Sequence, residues 1–165
     1  MKDSFKGRKL FLILSVVIPF LVYSAFYYAP YIRNAPYKVK EFVSLSYRWG
    51  LGQTLDNSYD SATGLYSYIN QSDSLVQKKI NLSPKDIHYL DSIAHVQGFF
   101  NLPELMANSA EDLNNPKLLR YELTFNYQKK SKKVVFFANF NGKDRMKSAF
   151  SVVRKEIEMT LADKD

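Results

Sequence analysis

Hydrophobic and polar positions divide the chain sharply. Leu10 to Ile32 (LFLILSVVIPFLVYSAFYYAPYI) holds no charged side chain over 23 residues. As a helix at 1.5 Å per residue it would reach about 34 Å, enough for a hydrocarbon core of about 30 Å. Tyr27, Tyr28 and Tyr31 sit where an interfacial aromatic belt would lie, and Pro19 at mid-span is tolerated in membrane helices. The pattern predicts a transmembrane helix over 10–32.

Beyond it the periodicity changes. Val43, Leu45 and Tyr47 alternate with Ser44, Ser46 and Arg48, a half-buried strand that Trp49-Gly50-Leu51-Gly52 breaks before a polar loop to Ser61. Gly64 to Ile69 and Leu75 to Ile80 read as two further strands about turn residues Asn70 to Asp73. Ser83 as N-cap, Pro84 at the first helical position and Asp86 in the first turn open a helix that Gly98 closes. Leu102 to Met106 suggests one more helical turn, and Asn108 to Pro116 an acidic, polar loop.

Leu119, Tyr121, Leu123, Phe125 and Tyr127 then alternate with Arg120, Glu122, Thr124 and Asn126, a clear strand signature. Gln128 to Lys133 reads as a hairpin turn, and Val134 to Phe140 as a strand apolar on both faces, hence central. Asn141 with Asp144 suggests a capping box for a last helix, whose apolar face is Met146, Phe150, Val153, Ile157 and Leu161. The prediction is an α+β chain: a transmembrane helix, then a β-β-β-α-β-β-α domain with a mostly antiparallel sheet and helices packed on one face. Residues 1–9 form a basic cytoplasmic tail, 33–37 a short linker, where Pro30 and Pro36 bracket Asn34 and are expected to stop the helix from running straight into the domain, and 38–165 the extracytoplasmic domain. So short a linker holds the domain close to the bilayer.

Composition alters this picture only at the margins. With 46% hydrophobic, 15% aromatic and 24% charged residues the chain is of ordinary globular type. It has no cysteine, which excludes disulfides, thiol catalysis and thiolate metal sites. Of the net charge of +7, Lys2, Lys6, Arg8 and Lys9 less Asp3 contribute +3, leaving +4 over the rest. That spread is too thin for a nucleic-acid stripe, and no nucleic acid is expected. The short basic N-terminus favours a cytoplasmic N-terminus, although Arg33, Lys38 and Lys40 follow the segment. The competing reading is a signal peptide cleaved near Ser24, before Ala25, with secretion of the domain.

Candidate chemistry is sparse. His88, Asp91 and His95 fall along one stripe of the middle helix, a weak acid–base or metal constellation. The two histidines stand seven residues apart, whereas a helical zinc pair wants four. The stripe is expected to face water, opposite Ile87, Leu90 and Ala94. Trp49, with Tyr47, Tyr66 and Tyr68, could make an aromatic binding platform, set against ordinary cross-strand packing. Lys129, Lys130, Lys132 and Lys133 crowd one hairpin tip. They suit acidic headgroups or an anionic envelope polymer, set against a solvated turn guarding two hydrophobic strands. Asn70-Gln71-Ser72 and Asn81-Leu82-Ser83 match the glycosylation sequon, which matters only on a eukaryotic secretory route. No phosphate-binding glycine loop, dinucleotide fingerprint, G-x-S-x-G or H-E-x-x-H is present, and no cofactor or metal is expected.

At Leu82-Ser83-Pro84, Phe99-Phe100-Asn101-Leu102 and Tyr121 to Phe140 the layout resembles that of small bacterial envelope domains. The resemblance is one of architecture and carries no residue roles. The function expected is that of a membrane-anchored, non-catalytic binding or accessory domain with an envelope protein partner. Its alternatives are a small hydrolase using His88, Asp91 or His95, and a structural subunit of a membrane complex.

Overall fold

The computed structural model describes the backbone of residues 3–33 and 37–164, and the side chains of 11–27 and 37–164. The chain divides into two compact units, Met1–Pro36 and Tyr37–Asp165.

The described residues of the first unit form one helix, α1 (Asp3–Arg33). It runs through Pro19 and also through Pro30, which was expected to help stop it. A proline costs a helix one backbone hydrogen bond and a steric clash rather than ending it outright. Ser15 satisfies its hydroxyl within the helix, donating to the Leu12 carbonyl at 2.9 Å. Apolar side chains from Phe11 to Tyr27 are exposed, Phe11 at 70% and Phe26 at 78%. Among the described residues no helix is long and apolar enough to cross a membrane. The expected 10–32 span exceeds the described side chains at both ends, since Leu10 and 28–32 lie outside them. The linker residues 34–36 and the side chains of the basic tail also lie outside the described residues.

The second unit is α+β. Seven strands form one sheet in the order β4-β3-β2-β1-β6-β7-β5. They are β1 (Phe42–Leu51), β2 (Asn57–Asp60), β3 (Leu65–Ile69), β4 (Leu75–Lys79), β5 (Leu105–Met106), β6 (Leu119–Tyr127) and β7 (Ser131–Phe137). Every pairing is antiparallel except β5 with β7. Two helices, α2 (Pro84–Val96) and α3 (Asp144–Ala162), pack on one face. Register puts Leu45, Tyr47 and Trp49 of β1 beside Phe125, Leu123 and Tyr121 of β6. This row faces the helices: Phe136 of β7 stacks on Phe150 of α3 at 4.7 Å, and Phe99 packs against Phe125 and Phe150. The alternate positions of β1 and β6, from Ser44 to Arg48 and from Arg120 to Asn126, make the opposite, polar face.

Ser83 and Asp86 form the reciprocal capping box that starts α2, with the Ser83 amide donating to Asp86 Oδ2 at 2.7 Å. Gly98, at φ 72°, takes the left-handed conformation that ends it. Five details of the sequence reading are corrected. Strand β1 does not break at Trp49 but continues to Leu51. A Cβ on Gly50 would meet the Thr54 carbonyl oxygen at 2.4 Å, so glycine is what lets 54–56 fold back over the strand. A fourth early strand, β2, lies in the supposed loop, and Leu105–Met106 pairs as a strand instead of making a helical turn. Asn141 does not cap α3: the cap position is Lys143, two residues later, and the Asn141 amide donates to Asn108 Oδ1 at 2.7 Å. Strand β7 starts at Ser131, so Lys132 and Lys133 belong to the ladder rather than to the turn.

Candidate functional site

The aromatic residues are brought together by strand pairing. Tyr47 lies opposite Tyr59, Tyr59 opposite Tyr66, and Tyr68 follows on the same face of β3. The rings make one row. Tyr47 stacks on Trp49 at 4.5 Å, Trp49 on Tyr66 at 6.1 Å, and Tyr66 meets Tyr68 at 5.2 Å. Tyr47 is fully buried, whereas Trp49, Tyr66 and Tyr68 are half-buried. The faces of Tyr47, Trp49 and Tyr66 are turned on one another, so the row offers neighbours ring edges more than open faces. The Lys78 ammonium lies 5.7 Å over Tyr68.

Polar groups frame this row. The Tyr47 hydroxyl donates to Glu158 Oε1 at 2.5 Å, and Arg154 donates to both Glu158 oxygens at 2.7 and 2.9 Å. The Arg154 guanidinium also lies 4.8 Å over Tyr121. Burial first, then the hydrogen bond to Glu158, pushes the Tyr47 hydroxyl well above the ordinary tyrosine range. The Tyr47–Glu158–Arg154 chain joins residues more than 100 positions apart, and no local spacing could have announced it.

The helical stripe divides. His88 is exposed, but Asp91 is buried at 6% exposure and accepts a hydrogen bond from the Tyr127 hydroxyl. The expectation that the whole stripe faces water is therefore corrected for Asp91. At 100° per residue it lies only about 60° round the helix from buried Ala94, at the margin of the apolar arc, where Tyr127 can reach it. His95 Nδ1 lies 2.9 Å from the Asp91 carbonyl oxygen and 3.5 Å from its Oδ2, with the ring packed on Phe100. Asp91 and His95 are thus neighbours held by the fold. Among the described residues no group of three or more His, Cys, Asp or Glu is placed to hold a metal ion.

The four hairpin lysines also separate. Lys129 is exposed at the tip, and the Lys130 ammonium lies 3.9 Å over the Tyr37 ring. Lys132 donates to the Leu102 carbonyl, and burial lowers its pKa. On the opposite face Lys133 pairs with Glu122 at 2.8 Å. Burial raises the Glu122 pKa, but the bonds and charges of Lys133 and Arg120 outweigh it and hold the carboxyl below its ordinary value.

No protein-family model matches the chain, and no curated protein matches its sequence.

Proposed function

We propose that this protein is a membrane-anchored, non-catalytic binding or accessory domain of the cell envelope. It spans the membrane once over residues 10–32, with its N-terminus cytoplasmic and the α+β domain outside. The observation that carries this reading is the uncharged 10–32 stretch within α1, whose described apolar side chains are exposed. Each large apolar side chain left in water forfeits about 1.5–3 kcal/mol that an apolar surround would return. A bilayer supplies that surround for the whole segment. Asp91 is committed to Tyr127, and His95 lies against Asp91 and Phe100, which favours a structural role for the residues with enzymatic flavour.

Partner contacts are assigned to the polar sheet face away from the helices and to the Trp49–Ser61 segment. The test is carbonate extraction of membranes holding the full-length chain, followed by affinity purification and mass spectrometry. Retention of the intact chain with a reproducible set of envelope proteins is expected. Release by carbonate, with a mature N-terminus at Ala25, would replace the anchor with a cleaved signal.

A further inference from the structure

The second unit has two ends, and one of them is basic. Strand β1 starts and β6 finishes at the same end, where Phe42 pairs with Tyr127. The turn after β6 lies beside the segment that precedes β1: the Gln128 amide donates to the Glu41 carbonyl at 2.8 Å. Tyr37, the first described residue of this unit, stacks on Phe100 at 4.2 Å and packs on Tyr127 at 5.0 Å, beneath Lys130. Lys38, Lys40 and Lys129 are exposed around it. Glu41 belongs to the same end, and Glu104 is close enough to Tyr37 to add to the upward shift that burial gives its hydroxyl. Lysines outnumber these acids.

This is also the end at which the chain arrives from α1. Arg33 and Tyr37 are four Cα steps apart, at most about 14 Å even when fully extended. An anchored helix therefore delivers these lysines within reach of the headgroup layer, whatever the path of the intervening residues. Basic residues that close to an anionic surface are attracted to it, and the attraction fades within a Debye length.

We propose that the end formed by Tyr37, Lys38, Lys40, Lys129 and Lys130 is a docking surface for anionic lipid headgroups. The proposal rests on the anchored reading given above. It sets the domain with its other end, where the β3–β4 turn carries exposed Ser72, away from the bilayer. Strand β1 alone has ten residues, which separates the two ends by about 33 Å.

The chain has no cysteine, so one introduced cysteine carries a unique label. Full-length Gln128→Cys and Ser72→Cys proteins would be fluorescently labelled and reconstituted into phosphatidylcholine vesicles, with or without about 30% phosphatidylglycerol. A headgroup-attached nitroxide lipid serves as quencher. Quenching at position 128 is expected to rise at least about twofold with the anionic lipid and to fall back at about 0.5 M salt. Quenching at 72 should stay low in both. Adding Lys38→Gln, Lys40→Gln and Lys129→Gln to Gln128→Cys should remove the lipid dependence. Equal quenching at 128 in both lipids, or equal quenching at 128 and 72, would overturn the docking surface while carbonate-resistant protein left the anchor standing. Extraction of the protein by carbonate would overturn the anchor and the docking surface together.

Discussion

Tyr127, the last residue of β6, donates its hydroxyl to the carboxylate of Asp91 in α2, and both side chains are nearly excluded from water. One hydrogen bond thus ties the end of a central strand to the helix that covers it. A buried polar group left without its partner costs about 1–3 kcal/mol. Asp91→Leu, which orphans the hydroxyl, and Tyr127→Phe, which leaves the carboxylate only the His95 ring at 3.5 Å, should each lower unfolding stability by about that amount. In a double-mutant cycle by urea titration the two should couple by at least about 1 kcal/mol. Additive losses would show that the pair contributes packing alone.

Three buried tyrosines predict the alkaline behaviour. Tyr47, Tyr59 and Tyr127 have hydroxyl pKa values raised chiefly by burial, that of Tyr59 to about 12 and the other two further. Below the ordinary tyrosine value, about pH 10, both folded and unfolded states hold these protons, and stability is unaffected. Above it the unfolded chain gives up protons that the folded domain keeps, so stability falls as pH rises. Each tyrosine contributes at most about 1.4 kcal/mol per pH unit, reduced where water screens the group. The urea midpoint should fall steadily from about pH 10 to 12, less steeply in Tyr127→Phe. An unchanged slope in that variant would remove Tyr127 from the account.

Elements with a strong period of their own were legible in the sequence. Leu119 to Tyr127 alternates without a mismatch and is strand β6 over that same span. Ser83, Pro84 and Asp86 mark the start of α2 to the residue. Strand β2 has one large apolar residue, Tyr59, among Asn57, Ser58 and Asp60, and exists because β1 and β3 pair with it on either side. That is tertiary context, which a window of sequence does not contain. The same holds at the site. Tyrosines at strand spacing announced a shared face, but Glu158 and Arg154 reach that face from a helix at the other end of the chain. Asp91 sat near enough to the apolar arc of its helix for either fate, and Tyr127 decided it.

Gly50 and Gly98 should respond differently to alanine. Gly98 has a left-handed φ of 72° but open space around a Cβ, its nearest neighbour standing at 4.0 Å. Its substitution should cost about 1–2 kcal/mol, the ordinary left-handed penalty. At Gly50 a Cβ would meet backbone atoms of Thr54 and Leu55 at 2.4 and 2.9 Å. Backbone must move there, and a loss of about 2–4 kcal/mol is expected, in the range of an overpacked core. Thermal or urea unfolding of the two single variants decides the order, and a smaller loss at Gly50 would mean that 52–56 lifts away at little cost.

Trp49 is the only tryptophan in the chain, so its emission reports on the aromatic row without interference. Tyr66 stacks on it at 6.1 Å and Tyr47 at 4.5 Å. Tyr66→Ala opens that stack to water and should shift Trp49 emission to the red, while the Tyr47–Glu158–Arg154 chain keeps Tyr47 in place. If partner contacts run through the Trp49–Ser61 segment, Trp49→Ala and Tyr66→Ala should lower recovery of envelope partners about tenfold, as loss of an aromatic anchor worth about 1.4 kcal/mol would. Circular dichroism matching the parent chain would separate that effect from unfolding. Full recovery of partners by both folded variants would place the contact surface elsewhere, on the polar sheet face opposite the helices.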